Sequence, residues 1–105
     1  MTRWTVRLTQ SARRDFAAVI ATIAENSGER VAARWRRRIL GQAGTLAGRP
    51  YLGAGDEDLG PGRRRLVVSP YLIVYELAPP NEVVILRIIH GARDLPALFG
   101  DPASE

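Results

Sequence analysis

The residue types best suited to chemistry lie in the C-terminal half of the chain. They are one histidine, two tyrosines and three arginines: His90, Tyr71, Tyr75, Arg63, Arg65 and Arg87. Histidine transfers protons near neutral pH, and the guanidinium group of arginine binds phosphate or carboxylate groups. These types permit acid–base chemistry on an anion. His90 also has a purely structural interpretation, in which the backbone or the nearby Asp94 holds a histidine at the end of a strand.

Metal and nucleotide sites are disfavoured. The chain has no cysteine, and therefore neither a disulfide framework nor a thiolate metal site. The acidic cluster Asp56–Asp58 lacks the spacing and the partner ligands of a calcium loop. The glycine-rich segment Gly48–Gly62 leads from a helix to a strand, whereas a phosphate-binding loop leads from a strand to a helix. We expect no metal and no cofactor, and we expect this long irregular segment to be functional or mobile.

Positive charge is the main compositional bias. All fifteen basic residues are arginine, and the net charge is +4. A GC-rich genome explains the absence of lysine as readily as function does. An excess of positive charge nevertheless favours an anionic partner, either nucleic acid or an acidic protein.

The segment Arg63–His90 predicts three strands. β-Branched and aromatic residues dominate Arg63–Val68, Tyr71–Leu77 and Glu82–His90, and turn-forming residues separate them. The third strand, closed by Gly91, is almost continuously apolar, which indicates cover on both faces. Alternation places Arg63 and Arg65 on one face, where Arg87 could join them in a basic patch or all three could simply solvate the sheet.

Upstream, the pattern predicts one strand and a helical hairpin. The alternation in Arg3–Leu8 is typical of a strand, and Thr9 or Ser11 can cap the helix that follows. Apolar residues recur at helical spacing over Gln10–Glu25 and over Glu29–Ala47, with a turn ending at Gly28 between the helices. The dense arginines of the second helix form either a solvated face or a docking surface.

The predicted fold is a two-layer α+β domain spanning residues 1–105. Its element order is β-α-α-β-β-β, with the helical hairpin packed on a mainly antiparallel sheet. After His90 we expect one short turn of Leu95, Leu98 and Phe99 against the sheet, then a polar tail from about residue 100. The sequence shows neither a signal peptide nor an apolar run of about 20 residues, so we expect a cytoplasmic protein and no membrane partner.

Several stretches of the chain resemble one known family. They are LTQSARRDFAAVIATIAENSG, VAARWRRRIL, GRPYLG, RRRLVVSPYLIVYEL and VVILRIIHGARDLPALF. Together they resemble the ParE toxins of the RelE/ParE superfamily, which belong to type II toxin–antitoxin systems. The resemblance covers about residues 3–99, and its most specific parts are Pro70–Tyr75 and Ile88–Asp94.

The resemblance implies a small basic toxin that a ParD-like antitoxin neutralises within a hetero-oligomer. It also implies a growth inhibitor that binds DNA gyrase without chemistry of its own, as in systems that stabilise plasmids. For target contact we predict Arg63, Arg65, Arg87, His90 and Arg93. For antitoxin contact we predict the helical hairpin, with Arg34, Trp35 and Arg38.

The alternative function is that of the RelE branch, ribosome-dependent cleavage of mRNA. Fold cannot separate the two branches, because they share it. Cleavage through the 2′-hydroxyl needs a base, an acid and cations for the phosphate, for which this chain offers His90, Arg65, Arg87 and Tyr75. RelE-type nucleases place lysines and arginines on the sheet, with a catalytic aromatic residue or histidine near the C-terminus. This chain has no lysine, and the segment after His90 is the ParE-like GARDLPALF. A third hypothesis is a decayed toxin that only binds its partner.

Overall fold

The fold is a helical hairpin packed on one face of a five-stranded sheet. The structure is a computed structural model that describes residues 3–98. Its elements are β1 (Thr5–Leu8), α1 (Gln10–Ser27), α2 (Glu29–Thr45), β2 (Ala54–Gly55), a 3₁₀ turn (Glu57–Leu59), β3 (Arg63–Val68), β4 (Tyr71–Ala78), β5 (Glu82–His90) and α3 (Gly91–Leu98). The strand order is β1-β5-β4-β3-β2, with β1 parallel to β5 and the other pairs antiparallel. The predicted α+β class is confirmed.

Local signals set the ends of both long helices. The side chain of Thr9 accepts a hydrogen bond from the backbone N–H of Ala12 at 3.1 Å, which satisfies one of the free donors at the start of α1. Gly28 separates α1 from α2 with φ of 89°, a conformation that side chains other than glycine rarely adopt. The two helices therefore begin and end close to the predicted residues.

The third predicted strand, β5, is buried on both of its faces, as its apolar sequence predicted. The larger core lies between the sheet and the hairpin and includes Phe16, Ile20, Ile39, Leu46, Ile73, Tyr75 and Ile85. A smaller cluster on the opposite face contains Leu59, Leu72, Val74 and Ile89. Because strand residues alternate, β4 contributes its odd-numbered residues to the hairpin side and its even-numbered residues to the other side. These two sides are called the hairpin face and the free face below.

Two predictions about irregular segments were wrong. The segment from residue 48 to residue 62 is not structureless, because Ala54 and Gly55 pair with β3 and a 3₁₀ turn follows. Gly91 does not close β5 but begins α3, an eight-residue helix in place of the predicted single turn. Of the residues predicted for that turn, Leu95 packs on the free-face cluster, and Phe99 lies outside the described residues.

Candidate functional site

A groove on the surface of α2 brings together the three residues predicted for antitoxin contact. Arg34, Trp35 and Arg38 line a cavity of about 370 Å³, and we call it the Trp35 groove. Arg38 places its guanidinium carbon 5.1 Å from the centre of the Trp35 ring. Spacings of three and four residues put side chains on one side of a helix, which explains the grouping. The groove offers two cations beside a half-buried indole ring.

An aromatic row connects the Trp35 groove to His90. Trp35 meets Tyr71 edge-on with ring centres 5.3 Å apart, and Tyr71 meets the His90 ring in the same way at 5.8 Å. The His90 Nδ1 accepts a hydrogen bond from the backbone N–H of Arg93 at 3.2 Å. The backbone N–H of His90 donates to the Asp94 carboxylate at 2.9 Å. These contacts join β5 to α3 and agree with the structural interpretation of His90.

Arg87 is held by a carboxylate of α1. Its Nε donates to Asp15 Oδ2 at 2.6 Å and its Nη2 to Asp15 Oδ1 at 3.2 Å, while the backbone N–H of Ile88 donates to the same carboxylate at 3.0 Å. β1 ends at Leu8, so Asp15 replaces the missing neighbour strand along this part of the edge of β5. The hydrogen bond to Asp15 is the main reason that the pKa of Arg87 is raised.

Arg63, Arg65 and Arg87, for which the sequence allowed either a basic patch or a solvated sheet face, each have a partner within the chain. The register places Arg65 and Arg87 on opposite sides of Val74 in one row across the sheet. Arg65 turns to Asp56, with 3.5 Å between their charged atoms, and Arg63 donates to the backbone carbonyl of Leu59 at 2.8 Å. Each of the three arginines is therefore held by a different partner, and the carboxylates of Asp56 and Asp15 offset the charges of Arg65 and Arg87.

Tyr75 is fully buried on the hairpin face and cannot reach a substrate. Its hydroxyl donates to the carbonyl oxygen of Pro50 at 2.9 Å and accepts the N–H of Gly53 at 2.8 Å. A Cβ atom at Gly53 would lie 2.7 Å from that hydroxyl and from the Arg65 carbonyl oxygen, so the position requires glycine. The role of Tyr75 is to hold the loop after α2.

A second arginine–aromatic surface lies on that loop, and sequence reasoning missed it. We call it the Tyr51 surface, formed by Trp4, Arg49, Tyr51 and Arg64. Arg64 places its guanidinium carbon 5.3 Å from the centre of the Tyr51 ring, and Trp4 meets the same ring at 75° with centres 6.4 Å apart. The available signal was Tyr51 itself, an aromatic residue between Pro50 and the glycine at position 53, in a loop that is rich in proline and glycine.

The described part of the chain contains neither a metal cluster nor a membrane-spanning helix. Within residues 3–98, no three histidine or carboxylate side chains are placed to hold one metal ion. No helix in the same range combines the length and the hydropathy needed to cross a bilayer.

Comparison with known proteins identifies the family. Residues 6–95 match the model of the ParE toxin of type II toxin–antitoxin systems, parDE. Toxin ParE3 of Caulobacter vibrioides is 37% identical over 86 residues, which cover 82% of this chain and 85% of that relative.

Two solved structures share the fold. The chromosomal ParDE toxin–antitoxin system from P. aeruginosa matches with a TM-score of 0.73 and 24% identity, covering 84% of this chain and 96% of that one. The toxin–antitoxin complex RelBE2 of Mycobacterium tuberculosis matches with a TM-score of 0.59 and 26% identity, covering 86% and 93%. The family match over residues 6–95 and the identity to a ParE toxin place this chain in the ParE toxin family of type II toxin–antitoxin systems.

Proposed function

We propose that this ParE-family toxin is neutralised by a ParD-like antitoxin and that, when free, it inhibits DNA gyrase by binding to the enzyme. It carries out no chemistry and uses no cofactor. It acts in the cytoplasm, where gyrase works on DNA, and growth stops because replication stops. Cells that lose the genes for the pair are then arrested, which is how such a system stabilises a plasmid.

The dispersal of the candidate nuclease residues carries this proposal. RNA cleavage needs a base, an acid and phosphate-binding cations around one bond. Tyr75 is buried beneath the hairpin, and Arg65 lies on the free face. His90 pairs with Tyr71 at one end of the hairpin face. Arg87 is held by Asp15 at the edge of the sheet. Side chains that surround no common point favour inhibition by binding.

The Trp35 groove supports the antitoxin half of the proposal. Its two arginines and its indole ring suit an acidic segment that also carries apolar side chains, since tryptophan and arginine contribute much of the energy of protein interfaces. Both structural neighbours are named as toxin–antitoxin systems or complexes. Antitoxin contact through Arg34, Trp35 and Arg38 therefore stays the first prediction for this surface.

A DNA supercoiling assay tests the target. Purified gyrase and relaxed plasmid are mixed with increasing amounts of toxin that has been freed from its antitoxin and refolded. We expect supercoiling to fall, or cleaved DNA to accumulate, as toxin is added, and the midpoint should follow the gyrase concentration when that concentration is well above the dissociation constant of the complex. Added antitoxin should restore supercoiling. Unaffected gyrase from the same organism, with toxin that is folded by circular dichroism and still binds antitoxin, would overturn the proposal.

An mRNA cleavage assay in a translating extract tests the RelE-like alternative. We expect wild-type toxin to leave the mRNA intact in an extract from which gyrase has been removed. If mRNA is cut at ribosomes, and if His90→Ala stops the cutting while antitoxin binding survives, the endonuclease hypothesis replaces the proposal.

A further inference from the structure

The loop after α2 presents an exposed aromatic ring on a fixed backbone. Tyr51 is 66% exposed. On the core side of the loop, the buried Tyr75 hydroxyl forms hydrogen bonds with the backbone of Pro50 and of Gly53, which flank Tyr51 in the sequence. From the β3 side, Arg64 donates to the carbonyl oxygens of Tyr51 at 3.1 Å and Gly53 at 3.0 Å. A ring that stays in water adds little to folding, whereas a pre-positioned ring reduces the entropy lost on binding.

The surroundings of Tyr51 have the composition of a protein-binding hot spot. Tryptophan, tyrosine and arginine dominate the energetics of protein interfaces, and the Tyr51 surface consists of these three types. The segment Gly48–Leu52 also lines a groove of about 360 Å³, in which Leu52 is 38% exposed. A cavity of this kind accepts a side chain of a partner.

The charge of this surface is positive and uncompensated. Within residues 3–98, neither Arg49 nor Arg3, whose guanidinium lies next to Gly48, has a carboxylate at ion-pair distance. Among the described residues, the hydrogen-bond acceptors of the Arg64 guanidinium are neutral carbonyl oxygens of the loop. The nearby Asp56 pairs with Arg65, which strand alternation places on the opposite face from Arg64. A partner that fits this surface is therefore negatively charged.

A protein segment fits better than a nucleic acid. Single-stranded nucleic acids stack their bases on open aromatic faces. Here the guanidinium of Arg64 lies over the Tyr51 ring, and Trp4 stands nearly perpendicular to it. A ring flanked in this way makes contacts through its exposed edge, as aromatic anchors in protein interfaces do.

The residues predicted for target contact carry less uncompensated charge than the Tyr51 surface does. Three of them are paired with carboxylates of this chain: Arg65 with Asp56, Arg87 with Asp15, and Arg93 with Asp94. The Trp35 groove is a separate surface. Its lining residues lie on α2, whereas the groove of the Tyr51 surface is lined by the loop that follows α2.

We propose that the Tyr51 surface is the contact surface for the target enzyme, and that it binds an acidic segment of gyrase with one apolar side chain in the groove of Gly48–Leu52. This inference rests on the proposed inhibition of gyrase. The Trp35 groove remains available to the antitoxin.

Equilibrium binding of toxin variants to purified gyrase and to purified antitoxin tests the inference. We expect Tyr51→Ala and Arg49→Glu each to weaken gyrase binding at least about tenfold and to leave antitoxin affinity unchanged. Val67→Ala is the control for the aromatic variant, because Val67 is a 60% exposed apolar residue on the free face. Arg14→Glu is the control for the charge reversal, because it makes the same change on an exposed part of α1. Neither control should alter gyrase binding.

Each other outcome overturns the inference. If wild-type toxin does not bind gyrase, the proposed function fails and the inference fails with it. If wild-type toxin binds gyrase and both Tyr51→Ala and Arg49→Glu bind equally well, only the inference fails. Loss of antitoxin affinity in these variants would assign the surface to the antitoxin. Loss of affinity for labelled single-stranded DNA, with gyrase binding retained, would assign it to nucleic acid.

Discussion

The Trp35 groove and the Tyr51 surface contain the same types of side chain, but different parts of the structure hold these side chains in place. In the groove, helical spacing alone brings Arg34, Trp35 and Arg38 together on α2. At the Tyr51 surface, contacts from distant parts of the chain hold the loop, with Tyr75 beneath it and Arg64 beside it. A binding surface can therefore come from a local repeat or from tertiary contacts, and the second kind is sensitive to substitutions in the core.

The largest difference in stability between the loop and α2 should come from replacing a glycine by alanine in each. In Gly53→Ala, the new Cβ meets the Tyr75 hydroxyl and the Arg65 carbonyl at 2.7 Å, so we expect a loss of about 3 kcal/mol in the free energy of unfolding. In Gly41→Ala, on the exposed side of α2, nothing lies within 4 Å of the new Cβ, and higher helix propensity should add up to about 1 kcal/mol. Urea denaturation measures both. An equal free energy of unfolding in the two variants would contradict the conclusion that tertiary contacts hold the loop.

The ion pair of Arg87 and Asp15 belongs to neither surface and offers an independent comparison. Asp15→Ala removes the acceptor of Arg87 and of the Ile88 N–H, and we expect it to cost about 2 kcal/mol. Glu82→Ala breaks a more exposed pair with Arg7 and should cost less than about 1 kcal/mol.

Thermal or urea unfolding of these two variants measures the difference in the free energy of unfolding. The binding assays are then carried out at a temperature at which both variants remain mostly folded. Affinity for gyrase and for antitoxin should be unchanged in Asp15→Ala. A selective loss of one partner would connect this ion pair to a binding surface.

Loss of one hydroxyl group should change stability less than the backbone clash in Gly53→Ala does. Tyr75→Phe leaves the Gly53 N–H and the Pro50 carbonyl without their partner, and we expect a loss of about 1 to 2 kcal/mol. Amide hydrogen exchange at Gly53 should become faster while exchange in α2 changes little.

Tyr71→Phe is the matched control for this variant. Among the hydrogen bonds described for residues 3–98, none involves the Tyr71 hydroxyl, so its removal should leave stability and exchange near the wild-type values. Unchanged exchange at Gly53 in Tyr75→Phe would show that the hydroxyl does not hold the loop.

The fold was predictable because most of its signals are local. β-Branched runs gave β3, β4 and β5, and helical periodicity with the cap at Thr9 gave α1. The two-residue strand β2 carries no such signal, because its conformation depends on pairing with Arg64 and Arg65 in β3. The start of α3 at Gly91 was missed because a glycine after an apolar strand is typical of an ending rather than of a helix.

The candidate sites divide in the same way. The grouping of Arg34, Trp35 and Arg38 follows from helical spacing, so the sequence suffices to predict it. Strand alternation placed Arg63, Arg65 and Arg87 on one face but could not show their partners, because the carboxylate that holds Arg87 lies 72 residues away at Asp15. The Tyr51 surface was missed for a related reason, since the hydroxyl that holds its loop comes from Tyr75, which the sequence offered as a candidate for chemistry and not as an anchor for a distant loop.

The most direct test of two separate surfaces is one matched pair of charge reversals measured against both partners. Arg38→Glu alters the Trp35 groove and Arg49→Glu alters the Tyr51 surface by the same change in charge. Equilibrium titration should give a crossed pattern, in which Arg38→Glu weakens antitoxin binding at least about tenfold and spares gyrase, and Arg49→Glu does the reverse. Loss of the same partner in both variants, or of neither, would contradict the division of the molecule into an antitoxin surface and a target surface.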